Sequence, residues 1–407
     1  MENQLIYLDH AAATPMDERV FVAMKPYFAD EFYNPSSPYA PAVAVRRVYE
    51  NAKHTLASLI GAKPGEIIIT AGATESINLA FNSVDGHVVT SNIEHHAVLA
   101  CVKDLDHTIV SADKRGFVSA DVIKSAIKPN TQLVSIALAN NELGTIQSLR
   151  DIAQVVRSER EARLMRSDIT PIYLHSDASQ GVGQIDVNVA RLGVDMLTLN
   201  AGKIYGPKQV GLLWATSQVK IKPQILGGGQ ERGLRSGTEN VTGVIGFAKA
   251  LELVSEHRKF ESERLSKLRN GLERMLTNAF PKSVVSGHLK HRLSGHLHIS
   301  FPGIDGERLI FILENRGVLV ATGSACAANR GTRSHVLKAI GLSDELADGS
   351  IRITLGHLSN DENIKLAGEI LIEEIKKEYE RIHPPKLSDD RLTDGLDDKY
   401  KKALVGK

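Results

Sequence analysis

Two cysteines in 407 residues, Cys101 and Cys326, are too few for a disulfide framework or a cysteine-rich metal cluster, and no metal site is expected. They suit a reducing compartment, with any thiol chemistry resting on a single sulfur. Neither sign of charge is in excess. The net charge is +1, so no polyanion-binding field and no direct nucleic-acid contact are expected. No apolar run approaches the roughly 18 residues that a membrane-spanning helix needs. The start, Met1 to Asp9, lacks a basic stretch followed by an apolar one, so no signal peptide is expected and the protein reads as cytoplasmic. There is no internal repeat. From Pro384 to Lys407 the chain is mostly charged and poor in aromatics, and it reads as a mobile tail.

Between about residue 44 and residue 215, apolar runs alternate with helical patterns. The spacing predicts a helix from Val45 to Leu59, a strand from Glu66 to Thr70 and a helix opening near Thr74. Further strands are expected at His87–Ser91, Thr108–Val110, Gln132–Ala139, Ile172–His175 and Met196–Leu199, with helices between them. Strands alternating with helices argue an α/β fold with a mostly parallel sheet, whose ligands sit at the carboxyl ends of the strands. Asn240 to Phe280 turns strongly helical and reads as a bridge. A smaller α/β domain follows, ending in a helix from Asn360 to Ile382.

Several strand ends carry chemistry. Lys203 follows the apolar run Val194–Leu199. A lysine there is either a surface turn residue or an amine that forms a Schiff base with a carbonyl cofactor. Gly72-Ala73-Thr74-Glu75-Ser76 opens a helix and is either a plain N-cap or an anion site built from free N–H groups. His95 is a capping residue or a ring that stacks on a planar cofactor. Asn141, in the Asn140–Gly144 turn, is a turn former or an amide donor. Asp177 wants a cationic partner, either in a structural ion pair or in a protonated pyridine nitrogen. The loop Gly227 to Thr238 carries Arg232 and Arg235. Cys326 sits among small residues near Arg330, as a buried thiol or an accessible thiolate. Cys101 reads as core filler.

Each window alone is modest; their order is not. Thr74, His95, Asn141, Asp177, Gln180, Lys203, Arg235–Thr238, Cys326 and Arg352 stand in the order and approximate spacing of the cysteine desulfurases, class V aminotransferase relatives that use pyridoxal 5'-phosphate (PLP). The resemblance runs from Tyr7-Leu8-Asp9-His10-Ala11-Ala12-Ala13-Thr14-Pro15 through the last helix. It looks like the subgroup with a long, mobile cysteine loop. The resemblance implies PLP-dependent transferase fold type I, with a mostly parallel seven-stranded sheet in a large domain (15–256). A small domain (1–14 with 257–383) would carry the cysteine. Lys203 would hold PLP covalently and act as base at the substrate Cα, and Asp177 would pair with the pyridinium nitrogen. Gln180 and Asn141 would contact the phenolic oxygen or the substrate. Ala73 and Thr74 would hold the phosphate, His95 would stack on the ring and move protons, and Arg352 would fork onto the substrate carboxylate. Thr238 would reach the phosphate of a second copy, which implies a homodimer. Cys326 would take sulfur from L-cysteine as a persulfide and pass it to an acceptor, an iron–sulfur scaffold protein or a tRNA-thiolation relay.

Two positions depart from the pattern. The family's Ser-Gly-His before the lysine is Asn200-Ala201-Gly202 here. Asn200 still offers a hydrogen bond to the phosphate, but Gly202 offers only its backbone N–H, so looser PLP binding is expected. The segment Ser158 to Asp168 is longer and rich in charge, and it reads as a surface insertion. Two rival readings stay open, a selenocysteine lyase or other class V β-lyase and a non-catalytic scaffold relative.

Overall fold

The computed structural model describes residues 5–323 and 333–383. Cys326 and the tail from Pro384 lie outside the described residues. Twelve strands are named here in chain order: β1 Ile6–Tyr7, β2 Ile67–Thr70, β3 His87–Ser91, β4 His107–Val110, β5 Thr131–Ser135, β6 Tyr173–Asp177, β7 Met196–Asn200, β8 Gly211–Ala215, β9 Val284–Ser286, β10 His296–Ser300, β11 Val318–Leu319 and β12 Ser350–Thr354.

Seven strands form the large sheet in the order β2-β8-β7-β6-β5-β3-β4. Only β8 runs antiparallel to its neighbours. This is the mostly parallel sheet of fold type I. Its strands are near-continuous apolar runs because helices cover both faces. The two-residue period of a strand shows in β2: Ile67 and Ile69 pack into one core, Ile68 into the other.

The helix expected from Val45 begins earlier, at Ala40–Ile60, because Pro41 sits in its first turn, where a missing N–H costs nothing. Gly61 ends it at φ 72, a left-handed cap that suits glycine. The helical stretch after Asn240 is a single element, Val241–Ala279. Its first half packs Val244 to Val254 into the large core, and its second packs Leu265 to Leu276 into a separate one. That second core is completed by β1, β10, β11, β12 and the helix Asp361–Ile382. Among the described residues no helix is long and apolar enough to cross a membrane.

The charged segment Ser158 to Asp168 is more than a surface insertion. The helix Leu149–Met165 runs through most of it, and Arg163 is only 1% exposed. Its guanidinium donates to the carbonyls of Lys128 (3.0 Å) and Thr131 (2.8 Å), closing the entry to β5. Composition shows a charged run; only the packing shows that one of its arginines satisfies buried carbonyls.

Candidate active site

A cavity of about 280 Å³ lies at the carboxyl ends of the large sheet's strands. It gathers Ala73, Thr74, His95, Asn141, Asp177, Gln180, Asn200, Lys203 and Arg352. They arrive on several different elements. Ala73 and Thr74 open the helix Ala73–Asn82 just after β2, and Gly72 caps that helix with no side-chain bond. First-turn N–H groups have no intrahelical partner, so these two are ready donors for an anion. Gly211 of β8 is pressed against this turn; a Cβ there would lie 2.7 Å from the Cα of Gly72.

Lys203 closes the one-turn helix Ala201–Lys203 that follows β7. Asn200 starts the turn by accepting the Gly202 N–H at 3.0 Å. The Lys203 Nζ donates to the carbonyls of Ala11 (2.8 Å) and Ala12 (2.7 Å). Burial lowers its pKa, the nearby Arg352 charge lowers it further, and Asp177 and Asp9 oppose them. The net direction raises the share of neutral amine, the form that attacks a carbonyl or takes a proton.

His95 caps the helix His96–Cys101, and its Nδ1 accepts the Ala97 N–H at 3.1 Å. The proton of the neutral ring therefore sits on Nε2. Burial lowers this pKa as well, against the pull of Asp177. Asp177 ends β6, and its Oδ1 accepts the Ser179 N–H at 2.9 Å. Gln180 donates to Ala11 O at 3.1 Å, on the carbonyl that also holds Lys203. Asn140 spends its side chain on the turn, accepting from Glu142 and Leu143, while Asn141 lines the cavity.

Arg352 comes from β12, in the other layer, and is 2% exposed. One Nη donates to Asp9 Oδ1 at 2.6 Å and the other to Asn141 O at 3.2 Å. Its buried Nε has no partner among the described residues. The arginine is thus held rigidly at the cavity wall with a donor to spare.

Two expected residues stand elsewhere. Gly202 is buried but does not line the cavity. Thr238 lines a separate cavity of about 170 Å³, with Arg235, Glu231 and Tyr49. Cys326 lies outside the described residues, but the described ends of its segment meet beside the site. Ser334 Oγ donates to Glu142 Oε2 at 2.5 Å, and a Cβ on Gly323 would lie 3.3 Å from the same oxygen. Cys101 packs against the sheet's second core, and burial pushes its thiol up to about 11, so it is inert.

The sequence reading missed Asp9, Glu142 and Glu94. Glu94 is buried behind His95, accepts from Ser91 Oγ (2.7 Å) and the Ala137 N–H (3.1 Å), and is pushed up to about 7 by burial. Its only sequence signal was its place beside two histidines.

The donor set suits one kind of group: an aldehyde for Lys203, a basic ring nitrogen for Asp177, and a phosphate for the uncapped helix start. The comparisons agree. The model of the aminotransferase class V family matches residues 6–366. The cysteine desulfurase IscS of Dictyoglomus turgidum is 40% identical over 94% of this chain and 97% of its own. The cysteine desulfurase IscS 1 of Archaeoglobus fulgidus is 39% identical over 90% and 95%. Among solved structures, a NifS-like protein superposes with a TM-score of 0.84 at 32% identity, over 92% of this chain and all of that one. SspA in complex with cysteine gives 0.74 at 34% identity, over 86% and 98%. The chain belongs to the class V aminotransferase family and, within it, to the PLP-dependent cysteine desulfurases.

Proposed function

We propose that this chain converts L-cysteine to L-alanine and leaves the sulfur as a persulfide on Cys326, for transfer to an acceptor protein. One observation carries the reading. Lys203, Asp177, His95 and Arg352 converge on one cavity, and the described ends of the Cys326 segment both lie close to Glu142, next in sequence to the lining residue Asn141.

Lys203 would hold PLP through its amine, Asp177 would pair with the ring nitrogen, and Ala73, Thr74 and Asn200 would take the phosphate. His95 would lie against the ring, and Gln180 and Asn141 would contact its oxygen or the substrate. Bound PLP supplies an electron sink for the pair left at the substrate Cα. Arg352 binds the substrate carboxylate with the donors that Asp9 and Asn141 leave free. The Lys203 amine, its pKa lowered by burial and by Arg352, takes the Cα proton. The Cys326 thiolate then attacks the substrate sulfur: an S–S bond forms, the C–S bond breaks with its electron pair left on Cβ, and protons delivered to Cβ and Cα complete the alanine that leaves. With an ordinary thiol pKa of about 8.5, only a few per cent is thiolate at neutral pH, so His95 or the substrate amine assists.

Thr238 lines a cavity other than the one assigned to its own chain's cofactor, and we assign it to the phosphate of a second copy in a homodimer. We place the cofactor domain at 15–256 and the cysteine-bearing domain at 1–14 with 257–383. A cytoplasmic setting and an iron–sulfur scaffold or tRNA-thiolation acceptor complete the reading. The test is mass spectrometry of the enzyme after cysteine treatment. A gain of one sulfur on Cys326, absent in Cys326→Ser and in Lys203→Ala, is expected. Alanine production undiminished in Cys326→Ser would instead favour a β-lyase that releases its sulfur or selenium directly.

A further inference from the structure

Lys203 lines two cavities. The second, of about 50 Å³, lies on the other side of its side chain and shares Ala11 and Gln180 with the first. Its remaining wall includes His10, Tyr205, Glu261, His296 and His357. The chemistry above uses none of these five.

His10 is 6% exposed. Its Nδ1 lies 3.0 Å from Thr354 O, so that nitrogen carries the proton and donates it. Its Nε2 is left with a lone pair and has no partner among the described residues. Burial holds this imidazole down at about 4, so the ring is neutral at rest. His296 adds two more buried ring nitrogens without partners. Unsatisfied buried polar atoms facing a cavity mark where proteins keep ordered water, and about 10–15 Å³ is enough for one molecule.

The far end leads outward. A Cβ on Gly356 would lie 2.6 Å from His10 Nε2 and 2.3 Å from the Tyr205 hydroxyl, so the two converge over that glycine. Tyr205 stacks flat on His357 at 3.7 Å and accepts its backbone N–H at 2.9 Å. His357 Nε2 lies 3.8 Å from Glu261, and both side chains reach solvent, at 36% and 16% exposure.

We propose that the second cavity holds water and that His10 relays the proton of Lys203 to solvent, on the side away from the cofactor. An Nζ–H bond of the lysine ammonium breaks as a water O–H bond forms. That water's own O–H bond breaks as His10 Nε2–H forms. The imidazolium passes the proton to the next water, toward Glu261 and His357. No electron pair leaves the enzyme, and the lysine is returned to its neutral form. The inference rests on the desulfurase reading, with Lys203 as the Cα base.

The test follows an isotope. Holoenzyme in ordinary water is given L-cysteine deuterated at Cα, and the deuterium in the alanine is counted by mass spectrometry. With the relay intact, Lys203 loses the label to solvent and the alanine is mostly unlabelled. His10→Gln keeps a donor for Thr354 O but cannot take up a proton. Its exchange should slow about a hundredfold, the low end for a positioned proton-transfer group, and its alanine should keep up to roughly a third of the label, because the deuteron shares the ammonium with two protons. A residue that only props up the site would change the rate without changing the label. His357→Phe keeps the stack on Tyr205, is expected to raise the label too, and decides the matter if His10→Gln does not fold. Unlabelled alanine from both variants, or labelled alanine from the parent enzyme, would overturn the relay. No alanine from the parent enzyme would overturn the desulfurase reading beneath it.

Discussion

Lysine 53 and glutamate 231 form an ion pair that is almost fully closed to solvent, with side-chain exposures of 6% and 5%. Lys53 Nζ donates to both carboxylate oxygens, at 3.1 and 2.9 Å. Tyr49 donates at 2.5 Å, and the Ile69 N–H of β2 at 2.9 Å. Burial and this carboxylate hold the Tyr49 phenol far above its usual range, so it remains a donor. Replacing Lys53 with methionine keeps the bulk and removes the charge, which strands the carboxylate on two neutral donors. Breaking one half of a buried pair costs about 3–5 kcal/mol. At roughly 2–4 °C per kcal/mol for a domain of this size, melting should fall by about 10 °C. The loss should also reach the cofactor. Glu231 and Arg232 hold left-handed backbone at φ 48 and 61, strain that the carboxylate's four bonds maintain. The same loop carries Arg235, which donates to Glu75 at 2.9 Å, and Glu75 accepts the Ala71 N–H at 2.7 Å beside the phosphate turn. Loosening Glu231 therefore loosens the start of the helix Ala73–Asn82, and PLP should dissociate more readily. The assay is a thermal melt by circular dichroism, followed by PLP titration read by absorbance. A companion variant, Lys53→Met with Glu231→Leu, removes both charges and should recover part of the melting temperature. A single variant that melts within about a degree of the parent would refute the argument, since no buried carboxylate can lose its cation at so little cost.

Three further outcomes are expected. Glu94, raised from 4.5 to about 7, binds a proton in the folded state that the unfolded chain has released. Its contribution is full below pH 4.5 and is lost as pH climbs through about 7. That is about 3 kcal/mol, so in urea unfolding Glu94→Gln should gain on the parent by this amount between those limits, and parallel pH curves would count against it. Gly202→His should tighten PLP by about 1–3 kcal/mol by restoring a phosphate donor. The new Cβ would meet the flexible Lys208 Cδ at 3.2 Å, so the site can accept it, and an unchanged dissociation constant would refute the idea. Ser334→Ala leaves the buried Glu142 carboxylate without its hydroxyl donor and should lower stability by about 1–3 kcal/mol, read by the same unfolding curves. A variant as stable as its parent would remove Glu142 as the anchor of the cysteine segment.

What could be read in advance was local. A strand end followed by a small residue and then Lys203, or by Asp177, is visible within a few residues, because the apolar run and the polar residue that ends it are neighbours in the chain. Six of the seven strands followed from that pattern, and the cavity's lining followed from the order of its windows, through the family resemblance. What escaped is long-range closure. Arg352 finds its counter-charge in Asp9, and Ser334 finds Glu142 nearly two hundred positions away. Nothing in the spacing of either window announces such a partner. The buried Arg163 escaped for the opposite reason. Its neighbours are so highly charged that periodicity had no apolar stripe to follow, although its carbonyl partners are close in space.

The clearest case is the opening motif, whose small residues carry little chemistry of their own. The Ala11 and Ala12 carbonyls hold Lys203 Nζ, and Ala11 O also takes Gln180. Thr14 accepts the Tyr205 N–H on its hydroxyl and bonds Lys208 through its carbonyl. Asp9 holds Arg352. One stretch of chain therefore fixes the amine assigned to the cofactor and the arginine assigned to the substrate, and it does so mostly with backbone. Ala11 lines both cavities beside Lys203 and is itself 4% exposed. A larger side chain there would fill one cavity or the other. The small size of this side chain is what counts at the position, because it leaves space beside the lysine in both the cavity assigned to the cofactor and the one lined by His10.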